Sequence, residues 1–158
     1  MVTREQVEIA QQQWADGLVQ IGLLKKNRPA CEAYANTFLD ELYAFELGPV
    51  LFKPTKCTIE PFRPTKSRAL SYFIAGDICE CSEDKGFALE PWKKVQFKNV
   101  HLILEENRAI AMGHYYFTDY QDTEVRVEYT LGYKRVGERL KIDLHHSSLP
   151  YNPWATDK

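Results

Sequence analysis

The run Leu144-His145-His146-Ser147-Ser148-Leu149-Pro150-Tyr151 gathers groups able to handle protons and oxyanions. Imidazole is the side chain that changes charge near neutral pH, and a serine hydroxyl donates to an anion or orients a water. Strand alternation divides the run between two faces. Leu140, Ile142, Leu144, His146 and Ser148 share one face, while Lys141, Asp143, His145 and Ser147 share the other. The first set is apolar up to its last two members, so it is assigned to the core, with His146 and Ser148 aimed into a cavity. His145 and Ser147 are then expected on the outer surface. An unpaired polar group on an apolar wall costs ~1–3 kcal/mol, so His146 and Ser148 need partners: protein groups, water or a small polar ligand. The pair reads as a general base beside a hydroxyl, although no acid stands at the spacing of a hydrolase triad. The plain alternative is a satisfied core histidine and a serine closing the strand.

A metal centre fits the spacing poorly. Consecutive strand residues point apart, so His145 and His146 are ill placed to share one ion. His101 and His114 are isolated, and Cys79-Glu80-Cys81 lacks the second pair of a usual cysteine site. With Cys31 and Cys57 these thiols are expected to be free, in a reducing compartment. The expectation is a protein without metal or cofactor.

Those side chains need a frame. Thr3 with Gln6 three positions on reads as a capping box. Val7, Ile9, Ala10, Trp14, Leu18, Ile21 and Leu24 then recur at helical spacing. Asn27-Arg28-Pro29 breaks the run, and a second helix is expected from about Ala30 to Phe45, ended by Gly48-Pro49. Val50–Thr55 is a short extended segment, Leu70–Ile74 a short helix or strand, and Gly76–Gly86 an acidic loop, with room for a short edge strand. Four strands follow: Trp92–Glu105 with a bulge at Lys98-Asn99, Ala109–Thr118, Glu124–Val136 and Leu140–Ser148. Their short connections imply an antiparallel meander. The expected class is α+β: N-terminal helices packed in a curved antiparallel sheet, a cone with one open, pocketed end.

A chain of 158 residues fits one domain, 1–158, with a core of about 3–151 and a frayed tail over Asn152–Lys158. A net charge of -2 and the lack of a basic stripe argue against nucleic acid. No apolar stretch approaches a membrane span, and the N-terminus has no secretory character, so a cytoplasmic location is expected. An exposed curved sheet is expected to pair as a homodimer.

The order of elements resembles the cystatin-like, nuclear-transport-factor-like cone fold, and within it the association domain of the calcium/calmodulin-dependent kinase. More specifically, VLFKPT (Val50–Thr55), ALSYF (Ala69–Phe73), EDKGFALEPW (Glu83–Trp92), VEYTLGY (Val127–Tyr133) and LHHSSLPY (Leu144–Tyr151) are similar to the iota-class carbonic anhydrases. The resemblance implies reversible hydration of carbon dioxide to bicarbonate, without a metal in some members. It implies a catalytic cluster at Thr55, Tyr72, His146 and Ser148, with Thr55, Tyr72, Ser148, Phe52 and Phe73 binding substrate. Tyr129 and Tyr116 are alternatives to Tyr72. Leu144 would join Phe52 and Phe73 on a dry wall. Two other functions stay open at this point: a non-catalytic small-ligand or oligomerisation module, and a zinc- or manganese-dependent enzyme using Cys79, Cys81 and the histidines.

Overall fold

The structure is a computed structural model that describes residues 1–154; the remainder of the expected frayed tail lies outside the described residues. Helix α1 spans Arg4–Leu23 and starts on the expected capping box between Thr3 and Gln6. Its inner stripe buries Val7, Ala10, Trp14, Leu18 and Ile21, whereas Ile9 is half exposed and faces outward. Helix α2, Arg28–Leu42, starts earlier than expected because Asn27 caps it by accepting from Ala30 N–H, and Pro29 fits its first turn. It also ends sooner: Tyr43 is extended, and Phe45 sits in a short 3-10 turn.

Strand β1 is Leu51–Lys53. The ambiguous segment at Leu70–Ile74 is helical, the end of α3 over Lys66–Ile74, with Thr65 capping it. The stretch Gly76–Gly86 contains a short 3-10 turn and no strand. The long strands are β2 (Trp92–Leu104), β3 (Arg108–Asp119), β4 (Glu124–Val136) and β5 (Arg139–Ser148). They form one sheet in the order β1-β5-β4-β3-β2, antiparallel from β5 to β2, with β1 added in parallel against β5. The helices cover one face. Trp14 of α1 lies among Phe97, Tyr115, Phe117 and His145 of the sheet, with ring centroids 5.7–6.2 Å away.

Three register shifts shape the sheet, one of them at the start of β2 between Trp92 and Lys94. In β2 the register shifts between Asn99 and His101, one residue beyond the expected position. In β5 an unexpected bulge makes Asp143 the extra residue: Gly132 pairs with Leu144, but Tyr133 pairs with Ile142. One inserted residue exchanges the faces of everything after it. The inward set is therefore Ile142, His145 and Ser147. His145 and Ser147 are only 2% and 1% exposed, whereas His146 is exposed and Ser148 half-buried on the outer face. The face assignment made from simple alternation is reversed.

Candidate active site

The buried face of β5 meets the end of β1, the middle of α1 and α3, and β3 at one polar cluster. Pro54 ends β1 and turns Thr55 inward beside Ser147, at 2.6 Å between hydroxyls. Lys53 reinforces this register by donating from Nζ to the Ser147 carbonyl at 2.7 Å. Tyr115 of β3 donates to Ser147 Oγ at 2.5 Å. His145 stands between two phenols, with Nδ1 at 2.9 Å from Tyr43 Oη and Nε2 at 3.1 Å from Tyr115 Oη. Phe52 stacks on its ring at 4.9 Å between centroids. Trp14 Nε1–H donates to Tyr43 Oη at 3.0 Å.

One set of proton directions satisfies all of these contacts. Indole N–H can only donate, so Tyr43 Oη accepts from Trp14. Its own proton, wholly buried, then goes to His145 Nδ1. Tyr115 spends its proton on Ser147, so it must accept from His145 Nε2–H. The satisfied arrangement is a one-way chain: Trp14 to Tyr43 to His145 to Tyr115 to Ser147 to Thr55. Each link donates toward the cavity, and the Thr55 hydroxyl proton is left to reach Tyr72 or a ligand. Linked hydrogen bonds polarise one another, which strengthens the terminal donors.

His145 is neutral in this chain. Burial, aided by the neighbouring His146, pushes its pKa down to about 3. Burial also raises Tyr43, Tyr115 and Tyr72 well above the usual phenol range. The cluster is therefore uncharged at neutral pH, with its hydroxyls protonated.

Beside it lies a cavity of about 10 Å³, lined by Phe52, Thr55, Tyr72, Phe73, Tyr115 and Ser147 among others. That is roughly the room of one water-sized molecule. Tyr72, on α3, accepts from Lys56 N–H at 3.1 Å and lies within hydrogen-bonding reach of Thr55. Of the tyrosines considered, Tyr72 lines the cavity. Tyr116 packs near His114, and Tyr129 donates to Asn99 on the far side of the core.

Thr55, Tyr72, Phe52 and Phe73 thus converge, while His146 and Ser148 do not join them. They lie with His114, Glu128 and Thr130 in a depression on the opposite face. Leu144 also leaves the cavity wall for the outer side of the bulge. Sequence reasoning missed Tyr43 and Tyr115. The alternation Ala109, Ala111, Tyr115, Phe117 along β3 puts Tyr115 on the inner face and was available as a signal; no local pattern marks Tyr43. The structure separates the histidines from Cys79 and Cys81, and no three His, Cys, Asp or Glu side chains gather as a metal site would require among the described residues.

Residues 5–149 match the family of metal-independent carbonic anhydrases. A metal-independent carbonic anhydrase from Nostoc sp. strain PCC 7120 is 40% identical over 155 residues, covering 95% of this chain and 75% of that protein. The cyanobacterial iota-carbonic anhydrase crystallised with bicarbonate is 38% identical, with a TM-score of 0.91 over 96% of this chain and 94% of that one. Two more distant structures share the fold alone. An association-domain structure of the calcium/calmodulin-dependent protein kinase II type from Xanthomonas campestris has a TM-score of 0.65 at 21% identity, covering 98% of this chain and 91% of that one. A member of the NTF2-like family from Streptomyces avermitilis has a TM-score of 0.58 at 15% identity, covering 94% and 97%. With its fold and its motifs in agreement, the chain belongs to the metal-independent carbonic anhydrases, the iota class.

Proposed function

We propose that this chain carries out its family's reaction, reversible hydration of carbon dioxide to bicarbonate, in the cluster of Thr55, Tyr72, Tyr115, His145 and Ser147. The observation that carries the site assignment is the one-way hydrogen-bond chain ending at Thr55 beside a cavity with aromatic walls. The attacking water oxygen bonds to carbon, one C–O π bond becomes a C–O⁻ single bond, and the water's proton leaves to a solvent base. His145 is not that base. Its Nδ1 lone pair is occupied by Tyr43, and its pKa of about 3 leaves it little affinity for a proton at neutral pH. Its role is to hold Tyr115 and Ser147 aimed at the cavity.

Negative charge develops on the carbon dioxide oxygens as the new bond forms. Preorganised hydroxyl donors aimed at that charge lower the barrier, each by about 3 kcal/mol when well placed in a dry site. Thr55 and Tyr72 are the donors that reach the cavity, and Ser147 orients Thr55. Phe52 and Phe73 supply the apolar wall that receives carbon dioxide. Holding the one water of the cavity against carbon dioxide seated at its open side removes a large part of the entropic barrier. Stopped-flow hydration on chelator-treated protein tests this. Activity should survive chelation and fall about 100-fold in Ser147→Ala. Loss on chelation with recovery on adding one metal would overturn it.

The chain's exposed outer sheet face also supports pairing with a second copy. Val100, Ile103 and Met112 stand there 58%, 58% and 56% exposed, which favours burial against a matching surface. Sedimentation should give a dimer that Met112→Glu dissociates; a monomer at micromolar concentration would end this reading. The four free cysteines accord with a cytoplasmic location, and no helix among the described residues is long and apolar enough to cross a membrane.

A further inference from the structure

We propose that the wide cleft beside the reaction cavity is an anion-binding vestibule that holds bicarbonate on its way in or out. The proposal rests on the catalytic reading above in taking bicarbonate as the anion. The cleft encloses about 480 Å³, and Tyr72 and Phe87 belong to its wall and to the wall of the small cavity alike. Their rings stack at 5.5 Å with only 17° between planes. Together they form the partition between the two spaces.

Three lysines line the cleft: Lys25 just after α1, Lys56 beyond β1, and Lys85 in the loop before Phe87. All are exposed. The lysine ion pairs among the described residues belong instead to Lys66, Lys93 and Lys141. Lys56 also holds the partition from two sides. Its backbone N–H donates to Tyr72 Oη, and its ammonium lies 5.9 Å from the Phe87 ring centre.

The cleft also contains Glu83, Asp84 and Glu90, so the lysines could be taken as internally neutralised. The hydrogen bonds show otherwise for Asp84, whose charge Arg63 already balances. Asp84 is gripped by both Arg63 Nη atoms at 2.7 Å and by Ser71 at 2.6 Å, with its side chain fully buried. Glu83 accepts from the backbone N–H groups of Thr58, Ile59 and Glu60 at 2.7–2.8 Å. Those bonds, the Glu60 and Thr58 ones foremost, hold its carboxyl below the ordinary range. Asp84 is thus charge-balanced, while Glu83 stays ionised with its oxygens turned onto the loop backbone. What faces the open space is three ammonium groups against the carboxylates of Glu83 and Glu90, a surplus of one positive charge.

A cleft of this width keeps an anion hydrated, which separates it in kind from the narrow cavity. Carbon dioxide is neutral and gains nothing from lysines, whereas bicarbonate does. Charge-lined clefts raise the local concentration of an oppositely charged ligand, and salt weakens that effect.

Titrating ¹⁵N-labelled protein with bicarbonate at fixed ionic strength tests the proposal directly. The amides of Lys85, Gly86 and Phe87 should shift and saturate. They should do so equally in Ser147→Ala, since that variant leaves the vestibule whole. In the Lys25→Gln/Lys56→Gln/Lys85→Gln variant the midpoint should rise roughly tenfold, as the loss of several weak charge contacts implies. Unmoved vestibule amides, or an unchanged midpoint in the triple variant, would overturn it. Failure of carbon dioxide hydration with these shifts intact would strike the catalytic reading and spare the vestibule.

Discussion

The two faces of β5 carry the same pair, His-x-Ser, in opposite surroundings. On the inner face His145 and Ser147 are buried, and each hydrogen-bonds two side chains. On the outer face His146 and Ser148 have no such partners among the described residues and border a depression shared with Thr130 and Glu128. Identical residue types therefore acquire different chemistry from position alone. The inner imidazole is a fixed, neutral relay of hydrogen-bond direction. The outer one is a surface group.

Variants on the two faces should part sharply. Ser147→Ala breaks the chain between Tyr115 and Thr55 and should lower carbon dioxide hydration about 100-fold. Ser148→Ala should stay within about twofold, because surface substitutions away from such networks do little. Equal losses by stopped flow would erase the contrast. For stability the informative pair is His145→Ala and His146→Ala. The first leaves a cavity beside Phe52 and strips partners from buried Tyr43 and Tyr115, a loss of about 3 kcal/mol. The second should change stability by less than about 0.5 kcal/mol. Urea midpoints compare them.

The contrast originates in the bulge, which marks the limit of what the sequence made legible. The helices, the meander and its strand ends could be read because periodicity and turn residues carry them. Thr55, Tyr72, Phe52 and Phe73 could be placed through motifs on either side of the cavity. The face of the HHSS run could not be read from alternation, because Leu140, Ile142 and Leu144 continue an apolar phase straight through the extra residue. The signal lay on the neighbouring strand. Gly132 interrupts the polar row Glu124, Arg126, Glu128, Thr130 and Lys134 of β4, and a glycine within a strand marks a bulge or a close approach. A Cβ there would stand 2.8 Å from Leu144 Cβ and 3.2 Å from Asp143 Oδ1. Arg108 forks onto Asp143 and secures the bulge from the outer side. Gly132→Ala should therefore cost about 2 kcal/mol, with activity falling as His145 and Ser147 shift. A wild-type urea midpoint in this variant would mean that the bulge tolerates a side chain, and that the glycine does not set the face.

A further difference concerns pH. Folding lowers the His145 pKa from about 6.5 in an unfolded chain to about 3. Between those values the unfolded state binds the extra proton, so stability rises with pH. The contribution is complete above about 6.5 and is lost as pH falls toward about 3, at up to roughly 1.4 kcal/mol per unit. From pH 7 to pH 5 this one group should remove about 2 kcal/mol. Carboxylates also titrate toward the lower end of that range, so the measurement is the difference between wild type and His145→Gln, each unfolded in urea at both pH values. The wild type should lose more on acidification, by close to that amount. If instead the His145 variant lost as much stability on acidification as the wild type, protonation of the inner histidine would not oppose folding. The inner chain would then have to tolerate an imidazolium, and the one-way direction of its hydrogen bonds would fail.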